Sequence, residues 1–143
     1  MRADPPTDTE VEIAADYVAE QIDNVRKIVP VEQAATFVGV AGTFTTLSAL
    51  AQGLESYDPA EIHNSELRVD ALRLVTRQLI GETSAARAAH PVMHPGRADV
   101  IAGGSVVVEG IIDLINDLGT AQTLVVSEKD ILDGIVEGLS EQA

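Results

Sequence analysis

Thr36-Phe37-Val38-Gly39-Val40-Ala41-Gly42-Thr43-Phe44-Thr45-Thr46-Leu47 decides the fold class of this chain. Residues 36–41 are short, apolar and β-rich, which predicts a buried strand. Gly42-Thr43 breaks the run. Thr45 to Gln52 then reads as a helix with Leu47, Leu50 and Ala51 facing inward and Gly53 as its C-terminal cap. Strand, glycine turn and helix in immediate succession is the grammar of a parallel α/β sheet covered on both faces. Thr123 to Val126 repeats it. That apolar strand is followed by Ser127 and Asp130 at capping-box spacing, and by Ile131, Leu132, Ile135, Val136 and Leu139 as the stripe of a last helix.

Working outward from these units, Pro5 and Pro6 forbid an early helix, and Thr7 with Glu10 forms a capping-box pattern. Val11, Ala15, Val18, Ile22, Val25 and Val29 make one apolar stripe on a long helix that ends before Pro30. Tyr57-Asp58-Pro59 is a turn signal, and Ile62 to Leu67 is read as a short extended run. Val69 to Gly81 predicts an amphipathic helix with Leu72, Val75, Leu79 and Ile80 inward and Arg68, Arg73 and Arg77 outward. Thr83-Ser84 caps a short helix that stops near Pro91. Arg97 to about Leu118 reads as a long helix containing Gly103, Gly104 and Gly110. A glycine inside a helix costs about 1 kcal/mol relative to alanine, so a close packing partner is expected there. The count is two parallel strands and about five helices. Two strands are few for such a sheet, so the chain reads as the later half of a larger domain.

Composition sets bounds. The chain has 143 residues, one domain's worth, and 45% of them are hydrophobic but only 3% aromatic, so its core is aliphatic. The net charge of −14 argues against nucleic-acid or anionic-membrane partners. It also requires any phosphate site to be locally basic or built from backbone N–H groups. With no Cys, thiolate metal sites, cysteine nucleophiles and disulfides are excluded, as fits a cytoplasmic protein. No apolar run approaches the ~18 residues of a membrane span, and the N-terminus lacks the apolar centre of a signal peptide.

Five motifs in order resemble the Ppx/GppA exopolyphosphatase and guanosine pentaphosphate phosphatase family, in its actinobacterial form. Gly39-Val40-Ala41-Gly42-Thr43-Phe44-Thr45-Thr46-Leu47 is similar to its Gly-Gly-Thr-x-Thr-Thr-Leu turn. Asp4-Pro5-Pro6-Thr7 with Glu10, Tyr57-Asp58 with Ile62-His63, Arg97-Ala98-Asp99-Val100-Ile101 with Gly103, and Val126-Ser127-Glu128 with Leu132 and Gly134 match further elements. The resemblance implies a ribonuclease-H-like, actin-like fold, with residues 1–143 as the C-terminal portion of its second domain. It implies a parent hydrolase that cleaves terminal phosphoanhydride bonds of inorganic polyphosphate or of guanosine pentaphosphate. Water activated by a Glu of the other domain would attack in line, with Mg²⁺ and two phosphate loops stabilising charge. Neither loop is in these residues. The chain is therefore expected to start after the second loop, to lack three strands and the N-terminal domain, and to be inactive alone. A non-catalytic regulatory domain that binds guanosine polyphosphates is the alternative; an unrelated helical interaction module is a third.

The candidate binding residues are Ala41, Gly42, Thr43 and Arg97, with polyphosphate or a guanosine polyphosphate as ligand. A glycine turn before a helix lets backbone N–H groups face an anion. The competing reading is a plain strand-to-helix turn. The resemblance places the turn at the cleft, with Ala41 where the family usually has Gly. Arg97, read as starting a helix, is disfavoured by the macrodipole and so calls for a specific partner. That partner is a phosphate held bidentately or a salt bridge to Asp99 or Glu128. His90 and His94 are at i, i+4 spacing, but Pro91 and Pro95 argue against a helical zinc site. His63 is read as ordering a loop, Ser127-Glu128 as capping, and Glu109 with Asp113 as a solvated pair. No catalytic residue and no metal ligand is assigned within the chain. An exposed apolar edge on strand 36–41 predicts a homodimer or other self-association.

Overall fold

A computed structural model describes residues 1–140. Thr7 accepts from the Glu10 N–H and Glu10 reaches back to the Thr7 N–H, so the expected capping box opens helix α1 (Asp8–Arg26). Pro30 and a 3-10 turn at Val31–Gln33 lead to strand β1 (Val38–Gly39) and helix α2 (Ala41–Ala51). Helix α3 (Pro59–Ile62), strand β2 (Ser65–Arg68), helix α4 (Val69–Gly81) and helix α5 (Ser84–Ala88) follow. Helix α6 (Ile101–Leu118), strand β3 (Thr123–Val126) and helix α7 (Ile131–Ser140) complete the described residues.

The sheet is three-stranded, in the order β1-β3-β2. β1 runs parallel to β3, as expected of both strand-helix units. The third strand corrects the two-strand expectation. β2, inside the stretch read as a short extended run, pairs antiparallel with β3 from Ser65↔Val126 to Arg68↔Thr123. β1 is also shorter than residues 36–41, because α2 already begins at Ala41 and takes in the glycine turn. Seven α-helices are present among the described residues rather than five. The unforeseen one is α3, a single turn that begins within the stretch read as a Tyr57-Asp58-Pro59 turn signal.

Leu124 and Val126 of β3 point into one core with Leu47, Ile62, Leu67, Leu72, Leu79, Ile112 and Ile115. Burial of this aliphatic set at ~25 cal/mol per Å² drives the fold. α4 packs along α6, and α1 along the far side of α6. Two of the α6 glycines have the expected reason. A Cβ on Gly110 would lie 2.5 Å from Val18 of α1, and one on Gly104 would lie 2.7 Å from Thr43 of α2. Gly103 has only Met1 near it, at 3.9 Å.

Two expectations about charged groups change. Arg73 is not a solvated residue: it donates to Glu109 (2.9 Å) and Asp113 (2.6 Å), so this acidic pair clamps α4 to α6. The cap of α7 is Asp130, which accepts from the Leu132 N–H while Asp133 accepts from the Asp130 N–H. Ser127 instead accepts from Lys129 N–H, because four residues separate β3 from the helix.

Candidate functional site at the carboxyl ends of β1 and β3

β1 and β3 are parallel, so the chain leaves both at the same end of the sheet. That end, beyond the carboxyl ends of the strands, is where open α/β sheets bind ligands. α2 begins there. Its N-cap, Val40, makes no side-chain capping bond, and its first turn carries no acidic residue. The leading N–H groups of a helix have no intrahelical acceptor. In a chain of net charge −14 this terminus is left without a carboxylate in its first turn.

Arg97 comes to the same place from 55 residues away. Its Nη1 donates to the Gly42 carbonyl (3.0 Å) and to Thr46 Oγ1 (2.7 Å), while the Thr46 hydroxyl donates to the same Gly42 carbonyl (2.8 Å). The expectation that Arg97 starts the long helix is corrected. α6 begins at Ile101, and residues 97–100 form a turn that lets Arg97 lie over α2. Its partner is neither Asp99 nor Glu128. A Cβ on Gly42 would lie 2.5 Å from Arg97 Nη2, so a larger residue there would push the guanidinium out of this position. Ala41, at the start of α2, has φ +66, a left-handed conformation that costs a non-glycine residue about 1 kcal/mol. Thr43 lies in the first turn and packs on α6 at Gly104.

The Arg97 turn is held from behind. Arg87 is 3% exposed and donates to the carbonyls of Ala98 (2.7 Å) and Leu79 (3.1 Å), to that of Glu82, and to Asp4 (3.3 Å). Ser84 bonds Asp99 on the same turn.

Three more residues join the site from the loops. Tyr57 Oη donates to Glu128 (2.6 Å) just past β3, and the Glu128 N–H donates to His63 Nδ1 (3.2 Å). Burial pushes the Tyr57 hydroxyl pKa up, and the Glu128 bond adds to the shift; Thr45 and Arg97 oppose it. His63 thus orders the end of β3 rather than its own loop. Tyr57, Pro91, Val92, Met93, His94 and Arg97 line an open pocket of about 310 Å³. Tyr57 and Glu128 were visible in the sequence as motif letters. Their pairing across 71 residues was not, and Thr46, also a motif letter, gave no sign that it would receive Arg97.

Among the described residues no group of three His, Asp or Glu could hold a metal ion. The carboxylate nearest Arg97 in this network, Glu128, is engaged by Tyr57. The donor set does not fit Mg²⁺, and no step runs through one here. No helix of the described residues is long and apolar enough to cross a membrane.

The Ppx/GppA phosphatase family pattern matches residues 1–138. The chain belongs to the Ppx/GppA phosphatase family. It is 48% identical to exopolyphosphatase 2 of Mycobacterium tuberculosis over 140 residues, 98% of this chain and 44% of that protein. A crystal structure of an exopolyphosphatase-like protein superposes with a TM-score of 0.95 at 33% identity, over 99% of this chain and 46% of the other. The Aquifex aeolicus family member gives 0.80 at 26% identity, over 100% of this chain and 45% of its own. The chain therefore spans a little under half the length of these relatives.

Proposed function

We propose that this segment forms one wall of a cleft in which an actin-like, ribonuclease-H-like phosphatase hydrolyses the terminal phosphoanhydride bond of inorganic polyphosphate. The observation that carries this reading is the convergence of Arg97 on the uncapped N-terminus of α2. A guanidinium beside the positive end of a helix is unfavourable unless an anion sits between them or next to them. Fork-shaped Arg donors together with helix N–H groups recognise phosphate oxygens. In this role Gly42 and Thr43 present backbone N–H groups. Arg97, whose Nη1 is anchored on Gly42 and Thr46, offers its other donors to the phosphate.

The segment positions substrate and does not cleave it. Among the described residues, the carboxylate that closes the pocket side of this network, Glu128, is spent on Tyr57 and is not offered as a general base. The attacking water and the Mg²⁺ chemistry of the whole phosphatase fall to residues outside this segment. One observation favours guanosine pentaphosphate as a second ligand. The pocket beside Arg97 has an aromatic wall, Tyr57, and apolar lining from Val92 and Met93, which suits a flat base next to a phosphate.

Titration of the purified chain with tripolyphosphate, followed by amide NMR, tests the reading. Shifts confined to residues 41–46, 57 and 97 are expected, with affinity at least ~10-fold weaker in Arg97→Ala. Hydrolysis of polyphosphate by the contaminant-free chain, or no perturbation at the α2 N-terminus, would overturn it. Competition by guanosine pentaphosphate but not by guanosine, with shifts extending to Met93, separates the second ligand from the first.

A further inference from the structure

We propose that Arg87 is the positioning residue for Arg97: its Nε–H holds the Ala98 carbonyl out of helix α6, and this keeps Arg97 over the start of α2. Arg87 is buried by this chain's own elements, so its guanidinium must be satisfied by fixed acceptors. The acceptors divide by nitrogen. Nη1 donates to the carbonyls of Leu79 and Glu82 at the C-terminal end of α4, where carbonyls lack helical partners and carry negative potential. Nη2 donates to Asp4, whose side chain is half exposed. Nε alone crosses to the Arg97 turn, 2.7 Å from the Ala98 carbonyl.

That bond sets where α6 begins. In a helix that started at Arg97, the Ala98 carbonyl would accept from the Ala102 N–H. Here the N–H groups of Val100 and Ile101 both go to the Arg97 carbonyl and that of Gly104 goes to Val100. Among the described residues no backbone N–H goes to Ala98. Residues 97–100 therefore remain a turn, with Ser84 bonded to Asp99 as a second tether. Winding this turn into α6 would swing Arg97 about the helix axis, away from the Gly42 carbonyl and Thr46.

Lysine separates the two jobs of Arg87. It places a methylene where arginine has Nε, and its ammonium falls near the guanidinium carbon. Arg87→Lys thus keeps a charge at the end of α4 and deletes the donor to Ala98. The freed carbonyl then takes the Ala102 N–H.

NMR of backbone and arginine side chains in the purified chain tests the proposal, with tripolyphosphate as the probe. In the wild type, the Arg87 Nε–H is expected to exchange with water at least ~10-fold more slowly than that of exposed Arg68, and residues 97–100 to show non-helical carbon shifts. In Arg87→Lys those shifts are expected to become helical, and tripolyphosphate to bind ~5-fold more weakly. Ile115→Val, a core change at the far end of α6, is expected to lower the melting temperature and move neither readout. Unchanged shifts at 97–100 in folded Arg87→Lys overturn the proposal. So does an affinity loss that Ile115→Val shares in proportion to its lowered melting temperature, which is the mark of a merely structural role. Fast exchange at Arg87 Nε–H or helical shifts at 97–100 in the wild type overturn it even where Arg87→Lys does not fold. The affinity measurement rests on the phosphate reading of Arg97, whereas the shifts do not. A wild type that binds no tripolyphosphate removes that reading, and helical shifts in Arg87→Lys still support the hold of Arg87 on Arg97.

Discussion

α6 and α7 have the same kind of sequence and opposite fates. Both are rich in Ile, Val and Leu, and both contain more than one glycine. α6 buries Ile101, Ala102, Ser105, Val106, Val108, Ile112 and Ile115 between α4 and α1, while α7 buries nothing among the described residues. The glycines show the difference most sharply. Those at 104 and 110 exist because Thr43 and Val18 press on them; those at 134 and 138 face open space. An apolar stripe in a sequence therefore states that a helix needs a partner, and says nothing of where the partner is.

Breaking this comparison should have its largest effect in α6. Ile112→Ala removes a fully buried side chain and is expected to cost about 3–4 kcal/mol in chemical denaturation. Leu132→Ala, of similar chemistry on α7, should shift the midpoint by less than about 0.5 kcal/mol. Gly110→Val should come next. Its side chain runs into Val18 and Ile22, and a loss of about 2 kcal/mol with weaker hydrogen-exchange protection in α1 is expected. Gly138→Ala in α7 has the opposite sign, a gain of up to ~1 kcal/mol in helix propensity, read as higher helicity by circular dichroism.

At the site, Ala41→Gly should relieve the left-handed alanine and stabilise by about 1 kcal/mol in thermal melts. Destabilisation there would show that the alanine methyl has a packing role. The smallest effect is at the N-terminus of α1. Backbone N–H groups of Arg2 and Thr7 lead in holding the Glu10 carboxyl pKa down at about 2, against 4.5 in the unfolded chain. Because the folded value is depressed, the stabilisation is full above about pH 4.5 and is lost as pH falls toward 2. Amide exchange at Asp8–Val11 should rise across that window and be flat in Glu10→Gln.

Local signals made much of the fold legible. The Thr7–Glu10 box, the Val69–Gly81 helix, the Thr83 cap and the parallel strand-helix units follow from neighbours within a few residues. Those interactions are short-ranged and written in residue order. β2 was only half legible because its pairing partner, β3, lies some sixty residues on, and an antiparallel edge strand of four residues carries little pattern of its own. The start of α6 was misjudged because Arg97-Ala98-Asp99-Val100 has helical composition. The carbonyl of Ala98 is instead drawn off by a buried Arg87 that no periodicity reveals.

The candidate site divides the same way. Ala41, Gly42, Thr43 and Arg97 could be named from residue type and motif order, since a glycine at a strand-helix junction and an unpaired-looking arginine carry their own chemical logic. That Arg97 lies on the Gly42 carbonyl, with Thr46 beneath it and the Tyr57–Glu128–His63 chain alongside, is a matter of contacts across 51 to 71 residues. The sequence by itself determined the helices, the parallel units, the aliphatic core and the family. Only the tertiary structure decided which apolar stripe is covered and which arginine meets which helix end, because burial and hydrogen-bond partnership at long range depend on packing rather than on order along the chain.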